Sequence, residues 1–430
     1  MEKVDIAVIG GGAAGLMAAC AAARVMKKAG AVLVLEGNQK LGRKLLATGN
    51  GRCNLTNLAA APAHYHGDTA AAVQLLAHYT PDMVRGVFRD MGLVTKPDGE
   101  GRVYPRSGQA AAVLAALRGC AGENGAVCRV GTPVTAIRKT KRGFSVEMGG
   151  GETLEAAACI LACGGAASPK HSCGGGYALA EALGHTVTPL YPALTQLVCA
   201  GKTAKSLSGV RCAARAALLA DGKEICAESG DVQFTDTGLS GICVFGLSIY
   251  AAEFFAQETI GGRAHKALSA ALDCLPEWTF SEVLDYLLEF RAAYPVRAAG
   301  ELLAGVLNLR VGCALVQAAG IDPAQAAKRL TRGQLQRLAA LVKSWNFTVT
   351  GTKGFQDAQI TAGGVPLGEV DVLTMQSRKV KNLYIAGEML NIHGDCGGYN
   401  LHFAWATGMA AGTAAAEAIR KKGENDDPHS

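Results

Sequence analysis

No run of roughly 18 strongly apolar residues occurs in this chain. The Ala-rich stretches are interrupted by Arg, Lys or Gly, so no membrane-spanning helix is expected. There is no CxxC pair and no repeating cysteine framework among the 14 Cys. A secreted disulfide scaffold is therefore not expected, and no metal site either. Scattered in apolar context, the cysteines read as small buried hydrophobes, Cys159 and Cys163 beside a strand among them. A reducing cytoplasm fits this usage. Met1-Glu2-Lys3 lacks the basic start of a leader peptide. Charged residues are only 18% against 49% hydrophobic ones, which excludes disorder of the whole and provides for a large core. No internal repeat is visible. Basic and aromatic residues do not interleave, so a stable nucleic-acid partner is not expected.

The net charge of +6 is mild for 430 residues. Basic residues cluster at 24–28, 40–44, 138–142 and 420–422. These read as solvated surface, or as attraction for an anionic substrate or the phosphates of NAD(P)H. Glycine is abundant, at 55 residues, and its excess sits in turns beside apolar runs, where backbone approaches a ligand closely.

The apolar run 4–9 reads as a buried parallel strand, 13–29 as a helix and 31–35 as a second strand ending at Glu36. Between the first two lie Gly10, Gly12 and Gly15, with Ala14 inside the motif. The first glycine permits the tight turn, the second lets backbone approach a pyrophosphate, and the third lets helix pack on strand. Glu36 follows Gly15 by 21 positions, the spacing of a carboxylate that meets ribose hydroxyls. FAD and NAD share this half-site. The far end of the chain carries Leu383-Tyr384-Ile385-Ala386-Gly387-Glu388, then Gly397-Gly398-Tyr399-Asn400 and a helix to about 419. This pairing resembles two-dinucleotide-type flavoproteins, where the acid meets the ribityl chain and the helix N-terminus faces the flavin. Gly408 and Gly412 are expected to let that helix pack on the sheet. A second G-x-G-x-x-G is absent, so a nicotinamide would dock transiently at the same flavin.

The fold class is α/β, a doubly wound Rossmann-like FAD domain. Helices are expected over 69–91, 107–124 and 174–184, and a hairpin around Gly149-Gly150-Gly151. Residues 193–260 read as short strands, and about 262–340 as helical. The expected division is a FAD-binding domain over 1–190 and 350–430, a β-rich part over 191–261 and 337–349, and a helical part over 262–336.

Three further segments are Thr48-Gly49-Asn50-Gly51-Arg52-Cys53-Asn54, Thr235-Asp236-Thr237-Gly238 and Thr361-Ala362-Gly363-Gly364. With the C-terminal motif they resemble the BaiN-like flavoprotein family, related to YhiN-type proteins and sometimes labelled aminoacetone oxidase-like. The resemblance covers nearly the whole chain. It implies an inserted β-barrel, a small helical domain and non-covalent FAD. It places FAD contacts at Gly10, Gly12, Gly15, Glu36, Arg43, Lys44, Gly49, Arg52, Cys53, Asn54, Gly387, Glu388, Asn400 and Leu401. It implies reduction of a carbon–carbon double bond in an apolar enone such as a 3-oxo bile-acid intermediate, driven by NADH or NADPH. The family's mid-chain motif carries His where Asp236 stands, which leaves no proton-transfer role to borrow there.

From the residues themselves, Arg43, Lys44 and Arg52 can meet phosphate or the flavin's polar edge. Cys53 reads as a cofactor contact, or as a reactive or flavin-linked thiol. Tyr399, His393 and Asp395 are the candidate catalytic groups, with Tyr104 a weaker one. The plainer alternatives are Tyr399 packing on flavin, Asp395 capping the last helix and His393 exposed in a loop. Two other functions remain open: a flavin oxidase or dehydrogenase of a small amine or alcohol, and a flavin-containing RNA-binding or RNA-modifying protein.

Overall fold

The computed structural model describes residues 2–172, 174–261 and 267–426. The chain forms two compact units, Met1–Tyr191 with Ile360–Ser430, and Pro192–Gln359. The expected boundary at 261–262 adjoins residues outside those described.

In the first unit, strand β1 (Glu2–Ile9) leads into helix α1 (Ala13–Met26) and strand β2 (Val32–Leu35). Strand β1 pairs in parallel with β2 on one side and with Thr153–Leu161 on the other. Its second half and all of β2 are buried, which explains unbroken apolar runs rather than alternation. Val127–Arg129 extends the sheet beyond β2. The first half of Thr153–Leu161 makes the expected hairpin with Phe144–Met148, and its second half pairs in parallel with Leu383–Ile385. One sheet is thus assembled from both ends of the chain, the architecture of a doubly wound nucleotide-binding domain.

The C-terminal helix, Tyr399–Asp426, packs along α1. A Cβ on Gly408 would lie 2.5 Å from the Ala14 carbonyl oxygen, and one on Gly412 2.2 Å from that of Ala18. At these glycines the close approach is to α1 rather than to the sheet as expected. Pro81 divides the expected 69–91 helix into Thr69–His78 and Pro81–Asp90, since a proline is tolerated only in a helix's first turn.

The second unit contains a closed six-stranded barrel with the order Leu197–Cys199, Gly238–Ser240, Lys223–Thr235, Arg211–Ala220, Leu268–Asp273 and Trp345–Thr352. Two expectations fail here. Ile242–Gly261 is a helix, not short strands. Its first half is nearly all apolar where it packs on barrel strands, and that weakens the helical period. Leu268–Asp273 is a barrel strand, not helix: Leu268, Ala270 and Leu272 share one buried face, with Ser269, Ala271 and Asp273 on the other. The helical portion runs from Phe280–Ala293 through Leu309–Ala318 to Arg332–Lys343. Capping boxes start its first and last helices, with Thr279 facing Glu282 and Thr331 facing Gln334.

Candidate flavin and substrate site

Gly10 follows β1 with φ +107°, and its Cβ would fall 2.4 Å from the Ala162 carbonyl oxygen. A Cβ on Gly15 would lie 1.9 Å from the Gly10 oxygen. Neither position admits a side chain. Gly12 is different: a Cβ there meets nothing within 4 Å. It is the N-cap of α1, which has no side-chain cap and no acid in its first turn. The free N–H groups and positive helix end therefore face open space, a seat for pyrophosphate. Glu36 is buried and fixes this loop. Its Oε2 accepts from Gly11 N at 2.8 Å, and its Oε1 from Asn38 N and Nδ2 at 2.7 and 2.8 Å. Oε2 keeps acceptor capacity for a ribose hydroxyl. Ala14 is buried beside Gly387.

The segment 48–57 winds tightly, with positive φ at Gly49, Asn50, Gly51 and Cys53. Its far end is anchored to the C-terminal motif. Asn57 Nδ2 donates to the Gly397 oxygen at 3.0 Å, Trp405 Nε1 donates to the Leu55 oxygen at 2.8 Å, and Thr56 Oγ1 lies 2.8 Å from His402 Nδ1. Asn54 Oδ1 is buried beside Gly398 with no partner among the described residues. An orphaned acceptor in such a cradle points to a donor that the chain does not supply. With the unclaimed end of α1, it makes the residues present fit FAD.

The basic candidates divide. Lys44 Nζ pairs with Glu388 at 2.7 Å, and Glu388 Oε1 also accepts from Thr361 N. Arg43 donates to Asn38 Oδ1, and Arg52 lies 5.0 Å over the Tyr104 ring. Asn400 bridges to Gly394, its Oδ1 accepting from the Gly394 N–H and its Nδ2 donating to the Gly394 oxygen; Leu401 is half-buried next to it. Cys53 is fully buried, and burial pushes its thiol up to about 12, with Thr48 opposing. That removes the reactive-thiol reading, since the thiolate is the nucleophile.

The three catalytic candidates converge, and two residues not singled out in the sequence join them. Tyr65–Gly67 pairs with Ile392–Gly394, setting His66 opposite His393. Asp395 does not cap the last helix. Its Oδ1 lies 2.7 Å from His66 Nε2 and its Oδ2 3.1 Å from His64 Nδ1. Burial alone would raise the Asp395 pKa, but hydrogen bonds from His66 and His64 outweigh it and hold the carboxyl below its ordinary value. His64 stacks on the buried Tyr399 ring at 4.5 Å, and His66 on His393 at 5.3 Å. His393 is not exposed in a loop: 3% of its surface is accessible, and neither ring nitrogen has a partner among the described residues. Burial first, then nearby His66, lowers its pKa to about 3. The sequence sign of this cluster is the pair His64-x-His66; His64 ends a 3-10 turn and His66 lies in the strand that follows. Asp236 lies exposed in the turn between two barrel strands. No group of three or more potential metal ligands occurs among the described residues.

The HI0933-like protein Rossmann domain matches residues 4–414. The 3-dehydro-bile acid delta(4,6)-reductase of Clostridium scindens is 39% identical over 96% of this chain and 99% of its own. The ribosomal RNA dihydrouridine synthase of Escherichia coli is 29% identical over 95% and 97%. Among solved structures, the 3-ketosteroid delta1-dehydrogenase of Sterolibacterium denitrificans covers 97% of this chain and 100% of its own, with TM-score 0.52 and 15% identity; that likeness is one of fold.

Proposed function

The chain belongs to the HI0933-like family of Rossmann-domain flavoproteins, and we propose that this FAD-dependent oxidoreductase reduces a carbon–carbon double bond conjugated to a ketone in an apolar, steroid-like substrate, with NADH or NADPH as electron source. The near-full-length identity with the bile-acid reductase carries this reading. Bound FAD supplies the hydride chemistry.

The protein's own part is binding, orientation and proton handling. Gly10, Gly12, Ala14 and Gly15 seat the pyrophosphate, and Glu36 takes a ribose hydroxyl. Arg43, Lys44, Gly49, Arg52, Cys53, Asn54, Gly387, Glu388, Asn400 and Leu401 shape the riboflavin half, with Lys44 neutralising Glu388 and Asn54 Oδ1 accepting from the cofactor. Saturating a conjugated double bond puts negative charge on the carbonyl oxygen and requires a proton at the neighbouring carbon. Tyr399 and His393 are the groups placed to meet these demands, and Asp395, its carboxyl held below its ordinary value by His66 and His64, orients the cluster.

The test is anaerobic reduction by NADH or NADPH, followed by rapid mixing with a 3-oxo-4-ene steroid, a uridine-containing transcript or oxygen. The steroid should reoxidise the flavin at least about tenfold faster than the others, a barrier difference near 1.4 kcal/mol. Fastest reoxidation by oxygen sinks the reading. The dihydrouridine synthase relative supports a second reading, reduction of uracil, whose double bond is likewise conjugated to a carbonyl; fastest reoxidation by the transcript selects it. With no second dinucleotide motif, NAD(P)H leaves before substrate enters, and double-reciprocal plots run parallel.

A further inference from the structure

His393 presents two ring nitrogens, both buried and both without a partner among the described residues. A buried polar atom left unpaired costs about 1–3 kcal/mol. Such atoms are nearly always satisfied in native proteins, so the missing partner lies outside the described residues. His66 cannot be that partner. The two imidazoles lie face to face with 24° between their planes, whereas ring nitrogens donate and accept within the plane. The Tyr191 ring lies 6.5 Å away and nearly perpendicular to His393, and neither His393 nitrogen hydrogen-bonds within the described residues.

The same ring is fixed through its neighbour. Asp395 holds His66 Nε2, His64 holds the other Asp395 oxygen, and the Asp395 N–H donates to the His64 carbonyl at 3.0 Å. The side-chain surface falls from 37% exposed at His64 to 20% at His66, and His393 at the end of this series is buried. The charge-bearing groups are thus gathered on the outer side. The titratable groups facing His393 are His66 and Tyr191 by ring contact and Asp395 through space.

We propose that His393 donates a hydrogen bond from a neutral imidazole to the carbonyl oxygen of the substrate, and that His66, clamped by Asp395 and His64, is the positioning residue that holds it in place. This rests on the reductase reading above. In the reaction, the hydride that NAD(P)H supplies through the cofactor would reach the carbon distal to the carbonyl, and a proton from solvent would reach the carbon beside it. His393 keeps its own proton throughout and stabilises the charge that develops on oxygen. A neutral donor suits this buried position because burying an imidazolium against an apolar ligand is costly. Its own N–H strengthens toward the oxygen as that atom becomes negative.

The experiment uses FAD-loaded protein. Nitrogen-15 histidine spectra are recorded from pH 5 to 8, with and without a saturated 3-oxo steroid that binds but is not reduced. In the wild type, His393 should remain neutral throughout and one ring N–H should shift on adding the ketone. His393→Gln should lower kcat on a 3-oxo-4-ene steroid at least about tenfold. His66→Gln should leave His393 neutral, since burial is the larger cause, but should weaken the ketone-induced N–H shift and lower kcat less than His393→Gln does. An imidazolium signal from wild-type His393, or ring signals unmoved by the ketone, overturns the assignment; the latter leaves water as the partner. The wild-type spectra decide even where a variant fails to fold. Enone reduction unimpaired in folded His393→Gln overturns the assignment alone, whereas a wild type that reduces no enone overturns the reductase reading and the assignment with it.

Discussion

Lys44 Nζ lies 2.7 Å from Glu388 Oε2, joining residues 344 positions apart in the chain. Each end of the sequence carries half of the dinucleotide signature, and this ion pair ties the halves together. Its members are only 24% and 21% exposed, so solvent screens it less than a surface pair. Lys44→Met leaves Glu388 as an unpaired, half-buried carboxylate beside Thr361 N. FAD affinity should fall at least about tenfold, near 1.4 kcal/mol. Titration of FAD into apo-protein, followed by flavin fluorescence, measures it; unchanged affinity refutes a role for the pair in seating the cofactor.

Gly412 offers a case where local preference and packing oppose each other. In an isolated helix, Gly→Ala gains about 1 kcal/mol. Here the new Cβ would lie 2.2 Å from the Ala18 carbonyl oxygen and 2.9 Å from Ala18 Cα. Those are backbone atoms and cannot swing aside. Gly412→Ala should therefore destabilise by about 1–3 kcal/mol, the range for overpacking, and should part the C-terminal helix from α1. Urea unfolding gives the sign directly, and a stabilised variant would contradict the close approach.

How much of this was legible in the sequence follows the range of the interactions. The phosphate loop was readable because most of its constraints are close in sequence. Gly15 is forced by the Gly10 carbonyl and Glu36 bonds back to Gly11 N at a fixed spacing, although Gly10 itself is forced by Ala162 across the sheet. His66 was not readable, because its meaning comes from Asp395, 329 positions away, and from a strand register that pairs it with His393. The helix Ile242–Gly261 was hidden by its nearly all-apolar first half, which leaves little of the polar face that reveals a helix. Leu268–Asp273 was lost among flanking helices because Ala and Leu serve helix and strand alike.

Ser377, His185 and Glu369 form a buried row that looks like a nucleophile triad. His185 Nε2 lies 2.8 Å from Ser377 Oγ and Nδ1 2.7 Å from Glu369 Oε2. Ser377 Oγ also accepts the Lys379 and Val380 N–H groups, and the residue is only 4% exposed. The row therefore pins a loop, and a fluorophosphonate probe should leave the protein's mass unchanged. His185→Gln should cost about 1–3 kcal/mol.

The same row makes the fold acid-labile. Burial lowers the His185 pKa below 6.5 although Glu369 opposes it, so below that value the unfolded chain binds the proton first and stability falls as pH drops. Glu369 works in the same direction at lower pH. Burial would raise its pKa, but hydrogen bonds from Lys379, Thr186 and His185 bring it to about 2. Its contribution is complete above 4.5 and is lost as pH falls toward 2. Urea midpoints measured from pH 7 to 5 should decline in the wild type and decline less steeply in His185→Gln. Equal slopes would show that His185 titrates alike in folded and unfolded chains.

Cys53 lies in the most distinctive motif of the chain, between Arg52 and Asn54, where a neighbouring cation invites the idea of an activated thiol. The fold argues otherwise. The residue is 0% exposed, with φ +58° in a turn closed by its own N–H to the Thr48 carbonyl at 3.0 Å. With its thiol held near 12, the thiolate fraction at pH 8 is about one part in ten thousand. Alkylation by iodoacetamide at pH 8 should spare Cys53 in the native protein and modify it after unfolding, as peptide mass mapping will read. The polypeptide should also lose all flavin on acid precipitation, since a thiol so protonated and enclosed forms no bond to the ring. Flavin retained on the Cys53 peptide would refute both statements together.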